Sequence, residues 1–156
     1  MTSLEQVAPV LDTSLFLLEL KHRRRERALE DLALSASANG SAYGADRLRD
    51  ALLRRERCYS SAIGKGVAIP HARSIAVSEP LVIVARSVPG VDWKSRDGLP
   101  VHLVLAVVAP ADFSADAFFE LVAHAAGAAR LQRHRQRLLE APDAEAARRA
   151  WREALA

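Results

Sequence analysis

Cysteine is nearly absent from this sequence of 156 residues, in which Cys58 stands alone. A single thiol excludes an internal disulfide and any metal site that needs several thiolates, so Cys58 is interpreted as a bystander. Long apolar runs are missing too, because the longest, 103–110, is far shorter than the roughly 20 residues that cross a bilayer. The first residues lack a basic segment followed by an apolar one. We therefore expect neither membrane insertion nor secretion, and a cytoplasmic location.

Lysine is scarce, and most of the positive charge belongs to arginine, with a formal net charge of +3. The arginines concentrate in "KHRRRER" (21–27) and "RLQRHRQR" (130–137). Such clusters can bind nucleic-acid phosphates. Acidic residues flank both clusters and aromatic residues are absent from them, which favours solvated helix faces. A nucleic-acid partner is therefore not expected, and salt-dependent retention followed by specific DNA binding would be needed to support one.

Apolar spacing predicts helices towards both ends of the chain. Leu29, Leu32, Ala33 and Ala36 recur at helical spacing before "ANGSAYG" (38–44) ends that helix. A second helix is predicted over 45–57. A third apolar stripe follows Pro110, and Asp143 is a plausible N-cap for a last helix. The segment 13–20 fits a buried strand or the start of a helix.

Strands are predicted in the middle of the chain. "LVIVARS" (81–87) and "VHLVLAVV" (101–108) are rich in β-branched residues and bounded by proline and glycine, and the segment between them is typical of turns. Helices at both ends with strands between them predict one α/β domain over 1–156, with its sheet covered by helices.

The stretch "AIGKGVAIPHARS" (62–74) differs from the rest of the chain. A short apolar run ends at Pro70 and leaves His71 at its end. Two hydroxyls and two glycines precede the run, a composition that lets backbone amides converge on an anion. The two hydroxyl residues are Ser60 and Ser61, and the two glycines are Gly64 and Gly66.

The residue types around His71 suit a phosphorylated histidine. A neutral imidazole is a nucleophile near pH 7 without an activating metal. Arg55 and Arg57 leave the preceding helix near the same loop, and a guanidinium can bind a phosphoryl group through two parallel hydrogen bonds. Phosphoryl transfer depends mainly on such alignment and charge stabilisation.

Other chemistries fit the sequence less well. The remaining histidines show no paired metal-ligand spacing, so no metal site is predicted. A GxSxG elbow for hydrolysis is missing, and "GKG" is not a phosphate-binding Walker loop, which needs GxxxxGK[ST].

The segment "RERCYSSAIGKGVAIPH", Arg55 to His71, resembles the signature of the enzyme IIA components of the bacterial phosphotransferase system (PTS). The resemblance is to the type-2 class, which includes fructose, mannitol and nitrogen-regulatory members. It extends through "DGLPVHLVLAVVAPAD" (97–112) and into a helical tail closing in "DAEAARRAW". The family implies a cytoplasmic three-layer α/β/α sandwich with a mixed central sheet.

The resemblance assigns roles to matching positions. His71 matches the phosphorylated histidine and Arg55 the arginine near it. Ser60 and Ser61 stand at a serine–threonine pair, and Gly64 and Gly66 match two glycines. By resemblance, His71 would accept phosphate from an HPr-type phosphocarrier protein and pass it to a IIB component or use it as a signal to a regulatory target. No cofactor is implied.

Three positions depart from the family pattern. A second histidine usually follows "APxD", and Ala117 is taken as its equivalent, with His124 too far along the helix to substitute. Tyr59 and Ala62 replace glycines. Two hypotheses follow: a stand-alone phosphohistidine carrier, nitrogen regulation being favoured because no IIB, IIC or HPr-like module is fused to it, or a weakened module that acts by binding a partner.

Overall fold

The computed structural model describes residues 3–156. The helices of this part are α1 (Ser3–Asp12), α2 (Arg25–Ala38), α3 (Ala45–Cys58), α4 (Ala115–Ala128), α5 (Gln132–Glu140) and α6 (Ala144–Leu155). The strands are β1 (Leu15–Leu17), β2 (Ala62–Gly64), β3 (Val67–Ala68), β4 (His71–Ser74), β5 (Leu81–Val91) and β6 (Val101–Pro110). The ambiguous segment 13–20 thus contains a short strand.

These strands form one mixed sheet in the order β1-β5-β6-β3-β2, and β4 also pairs with β6. The two long strands, β5 and β6, are antiparallel and form its centre, whereas β1 runs parallel to β5, and β3 and β4 run parallel to β6. Because β3 and β4 follow each other along the same edge of β6, the short connection Ile69–Pro70 between them lies against that strand.

Helices cover both faces of the sheet. Val82 and Val84 belong to a core cluster with α1, α4 and α6, whereas Ile83 and Ala85 belong to a second cluster with α2 and α3. Side chains alternate between the two faces along a strand, so a continuous apolar run supplies both cores. The predicted three-layer α/β/α sandwich with a mixed sheet is confirmed.

The turn predicted between the long strands is shorter than expected. Strand β5 continues to Val91, and its pairing with β6 shifts register between Arg86 and Val91. An irregularity of this kind accommodates Pro89 and Gly90 inside a strand. Gly90 has φ 89°, and a Cβ there would lie 2.9 Å from Pro100. The position therefore requires glycine.

Two polar side chains form hydrogen bonds with free backbone groups at helix ends. Asp143 caps α6 as predicted, its carboxylate accepting a 2.8 Å hydrogen bond from the amide of Ala146. Arg86 reaches across from β5 and donates to three carbonyl groups at the end of α5 and to that of Leu18. A cation at a helix C-terminus satisfies its free carbonyls and opposes its dipole.

Part of the positive charge in the arginine clusters is paired with carboxylates. Arg27 lies 3.5 Å from Glu30, Arg25 lies 3.6 Å from Glu26, and Arg137 pairs with Glu153. Arg135 donates to the carbonyl groups of Ala129 and Arg130.

Within residues 3–156, every helix is too short or too polar to span a membrane.

Candidate functional site

His71 is the first residue of β4 and lies beside Val107, close to the carboxyl end of β6. Pro70 precedes it, and the amide of Val107 donates a 2.9 Å hydrogen bond to the carbonyl of Pro70. The proline supplies no amide donor, so the chain breaks its pairing between β3 and β4 at this point. The backbone around His71 is therefore fixed on the central strand.

The His71 ring has a defined tautomer. Its Nδ1 atom lies 2.7 Å from the carbonyl oxygen of Ile69, which only accepts, so Nδ1 carries the proton. The Nε2 atom keeps its lone pair. Burial lowers the pKa of His71, Arg55 lowers it further, and the hydrogen bond to Ile69 and the charge of Glu56 act in the opposite direction. The ring is therefore neutral at pH 7.

Arg55 lies in the last turn of α3, and its Nη2 atom is 3.1 Å from Nε2 of His71. A guanidinium only donates, so this contact is made to the lone pair of Nε2. Arg55 also lies over the ring of Tyr59, with its Cζ atom 3.8 Å from the ring centroid, and Nη2 donates to the tyrosine hydroxyl. The structure thus brings together the two residues predicted to carry the chemistry.

An open cleft lies in front of the His71 ring. The Phe118 ring centroid is 5.9 Å from that of His71, and the Phe119 centroid is 6.5 Å from it. Arg73, two residues along β4, donates to the carbonyl of Phe113 at 3.1 Å, and its Cζ atom is 5.6 Å from the Phe118 ring centroid. The described lining residues are Arg55, His71, Ala72, Arg73, Ala111, Phe118 and Phe119. Two guanidinium groups and no carboxylate among these residues suit a bound anion.

Ser61 is held by a buried network rather than directed at His71. Its amide donates to Glu56 at 2.8 Å, and its hydroxyl accepts from the indole of Trp93 at 3.2 Å. The same indole donates to Glu56 at 2.8 Å, and the amide of Ile69 donates to the carbonyl of Ser61. Ser60 is exposed, and its hydroxyl accepts from the amide of Ala62 at 3.1 Å. The network fixes the loop that precedes His71.

Gly64 and Gly66 lie in the turn of the β2–β3 hairpin, with φ angles of 88° and 77°. Asp97 accepts a 2.8 Å hydrogen bond from the amide of Lys65 between them, and a Cβ on Gly66 would contact Pro100. Ser61 pairs with Ile69 at the other end of this hairpin, next to His71. The structure does not bring the two glycines to the His71 ring, and their left-handed backbone serves the turn.

Ala117 is not the residue of α4 that faces His71. It is fully buried in the core, whereas the next residue, Phe118, presents its ring to the imidazole. The structure therefore places Phe118, and not Ala117, beside the imidazole of His71. Which residue of the helix faces His71 depends on where α4 begins, and that start is set by the N-cap Ser114. His124 lies further along α4, near Glu120, as expected.

Several residues of the site were not predicted from the sequence. Glu56 is 5% exposed, and it follows Leu48 and Leu52 at intervals of four on the buried face of α3. An acid in an apolar stripe was a usable signal for a buried polar network. Phe118 and Phe119 carried no comparable signal because they approach His71 only through tertiary packing. Arg73 is close to His71 in the chain, but only the structure shows that it lines the same cleft. In the part of the chain that the structure describes, no group of three or more potential ligands could hold a metal ion.

The chain belongs to the family of the phosphoenolpyruvate-dependent sugar phosphotransferase system, EIIA 2, whose sequence profile matches residues 9–153. It is 34% identical over 92 residues to the fructose-specific EIIABC component of Bacillus subtilis, a match that covers 59% of this chain and 14% of that protein. It is 30% identical over 122 residues to the nitrogen regulatory protein of Pseudomonas aeruginosa, covering 78% and 79% of the two chains.

Solved structures share the fold. The nitrogen regulatory protein IIA-Ntr of Neisseria meningitidis superposes with a TM-score of 0.80 at 25% identity, covering 90% of this chain and 94% of that one. Enzyme IIA for mannitol from Escherichia coli, in complex with phosphorylated enzyme IIB, superposes with a TM-score of 0.75 at 16% identity, covering 88% and 94%. These relatives include sugar-specific and nitrogen-regulatory proteins.

Proposed function

We propose that this protein is a phosphohistidine carrier of the PTS that accepts a phosphoryl group on Nε2 of His71. One observation carries the proposal: an imidazole whose proton is held on Nδ1 by Ile69 presents the Nε2 lone pair to an open cleft that contains two guanidinium groups. Membership of the EIIA family supports phosphoryl transfer in general.

The transfer step follows from this geometry. The Nε2 lone pair attacks the phosphorus of a phosphorylated donor and forms the N–P bond. The bond from phosphorus to the donor nitrogen breaks, and its electron pair returns to the donor. The proton stays on Nδ1, and its hydrogen bond to the carbonyl of Ile69 stabilises the positive charge that the ring acquires.

Arg55 and Arg73 supply positive charge to the phosphoryl oxygens in this proposal. Arg55 already contacts Nε2, so it must move from the lone pair to an oxygen as the N–P bond forms. Charge-assisted hydrogen bonds of this kind are about twice as strong as neutral ones. For Ser60, Ser61, Gly64 and Gly66 we propose an indirect role: they shape the hairpin and loop that hold His71.

The donor in this proposal is an HPr-type phosphocarrier protein, and the acceptor is a IIB component or a regulatory target. The mannitol neighbour in complex with its IIB supports the first kind of acceptor, and the nitrogen regulatory relatives support the second. We favour nitrogen-type regulation. We further propose that residues 1–156 act as one domain in the cytoplasm, which agrees with two core clusters packed on one sheet.

The test is the intact mass of the protein after incubation with phosphoenolpyruvate, enzyme I and an HPr-type protein. We expect a gain of one phosphoryl group that acid removes, because phosphohistidine is acid-labile. His71→Ala should abolish the gain, whereas His124→Ala, which lies outside the cleft, should retain it. Labelling that persists in His71→Ala would contradict the assignment.

A second candidate function is a binding module that has lost turnover. The observation that favours it is the aromatic ring of Phe118 in front of His71, since the resemblance stated above implies a second histidine near the first. In that case no HPr-type donor labels the protein, and a bound partner is recovered with wild-type and His71→Ala protein alike.

A further inference from the structure

Tyr59 lies directly after α3, where the backbone becomes extended, with φ −163° and ψ 152°. Its amide donates to the carbonyl of Arg55, four residues earlier. Because the chain leaves the helix here, the tyrosine ring lies beside the last turn. The ring face meets the guanidinium of Arg55 at 3.8 Å, and the hydroxyl accepts from Nη2 of the same group.

Arg55 differs from many arginines of this protein in its partners. Arg25, Arg49 and Arg137 lie within 4.0 Å of carboxylates, whereas the ion pairs among the described residues do not include Arg55. Its side-chain contacts in that part of the chain are with Tyr59 and His71. A carboxylate would orient the guanidinium but also cancel its charge. An aromatic face and a phenol orient it and leave the charge available.

We propose that Tyr59 is a positioning residue that holds the Arg55 guanidinium beside Nε2 of His71. The proposal rests on the proposed phosphoryl transfer, in which Arg55 exchanges the Nε2 lone pair for a phosphoryl oxygen. An aromatic face attracts a cation without fixing its direction, so the guanidinium can shift over the ring. Tyr59 therefore keeps Arg55 in place before and after the N–P bond forms, and the side chain does not have to be ordered again at each transfer.

The experiment measures labelling of His71 by phosphoramidate, a small phosphoryl donor that needs no protein docking surface. Tyr59→Ala is compared with wild type, with Arg55→Ala and with the double variant. Tyr43→Ala is the matched control, since Tyr43 is 82% exposed, Tyr59 is 63% exposed, and Tyr43 does not line the His71 cleft. Thermal unfolding of each variant checks that the fold is retained.

We expect Tyr59→Ala to slow labelling about tenfold, the range of one charge-assisted hydrogen bond. In the Arg55→Ala background, removal of Tyr59 should have little further effect, because the tyrosine acts through the arginine. Tyr43→Ala should label at the wild-type rate. Equal slowing by Tyr59→Ala with and without Arg55 would overturn the proposal, as would no slowing at all.

A second readout does not require phosphorylation. NMR titration of the His71 ring should show that Tyr59→Ala raises the pKa of His71, because the released guanidinium no longer opposes protonation. An unchanged pKa would overturn the positioning role. If wild-type protein takes no phosphoryl group while this coupling is present, the proposed function fails and the contact between Tyr59, Arg55 and His71 stands.

Discussion

The Nδ1 atom of His71 lies 2.7 Å from the carbonyl oxygen of Ile69, two residues earlier in the chain. This hydrogen bond decides which ring nitrogen keeps its lone pair, since a carbonyl oxygen can only accept. The other nitrogen faces Arg55 and the open cleft. A local backbone contact therefore determines which ring nitrogen of His71 is available on the side of the cleft.

The pH dependence of phosphoryl acceptance should follow His71. Burial and Arg55 lower its pKa below 6.5, so the neutral imidazole predominates above that value and is lost as the pH falls through the lowered pKa. The labelling rate should be level from pH 7 to 8 and half-maximal below pH 6.5. Arg55→Ala should move the midpoint upward, as measured by NMR titration of His71. A midpoint above 6.5 in wild type would contradict this.

The lowered pKa of His71 also makes the free energy of unfolding depend on pH. Below pH 6.5 the unfolded chain binds a proton at His71 more readily than the folded chain does, so the unfolding free energy falls with the pH in that range. We expect His71→Gln to remove part of this acid sensitivity in urea denaturation between pH 7 and 5. A wild-type slope in the variant would show that other groups cause it.

Histidine substitutions at Ala117 and Phe118 should have different consequences. Ala117 is fully buried, so Ala117→His forces a polar ring into the core and should lower the unfolding free energy by about 1–3 kcal/mol. Phe118→His puts a second imidazole in front of His71 and should change the labelling rate. Urea denaturation and labelling kinetics of both variants check this. Faster labelling in Ala117→His but not in Phe118→His would indicate that position 117 corresponds to the family's second histidine.

Glu56 should stabilise the loop before His71. Its carboxylate accepts from the amide of Ser61 and the indole of Trp93, both at 2.8 Å, in a nearly dry environment. Glu56→Gln removes the charge from both hydrogen bonds and should cost about 1–3 kcal/mol in unfolding free energy. Trp93 contributes to the fluorescence that reports the change. Glu79→Gln, an exposed substitution of the same chemistry, is the control and should cost far less.

Arg73 should contribute to the phosphoryl site through its charge and its fork of donors. It lines the cleft and is held by the carbonyl of Phe113 rather than by a carboxylate. Arg73→Gln should slow phosphoramidate labelling about tenfold, and Arg73→Lys less, because lysine keeps the charge but not the fork. Arg96→Gln changes the net charge equally in the loop before β6, at the other end of that strand, and should have no effect. Equal slowing by Arg96→Gln would assign the effect to overall charge.

Residues close together in the chain were predictable from the sequence. The helix over Ala45–Cys58 and the strands starting at Leu81 and Val101 match the predicted segments, since apolar spacing reports which face of an element is buried. The segment from Arg55 to His71 indicated the chemistry because glycine, hydroxyl, guanidinium and imidazole groups are each suited to binding or accepting a phosphoryl group. Family membership followed from the same segment.

What only the tertiary structure decided is which side chains meet at His71. Arg55 comes from α3 on one face of the sheet, and Phe118 comes from α4 on the other. Their approach to His71 depends on how the two helices pack on the sheet, which no local pattern encodes. The placement of Phe118 rather than Ala117 beside the ring depends on where α4 begins, at the cap formed by Ser114. The sequence by itself therefore predicted His71 as the nucleophile and indicated the family's class of chemistry, and the packing of two helical layers on one sheet determined the surroundings of His71.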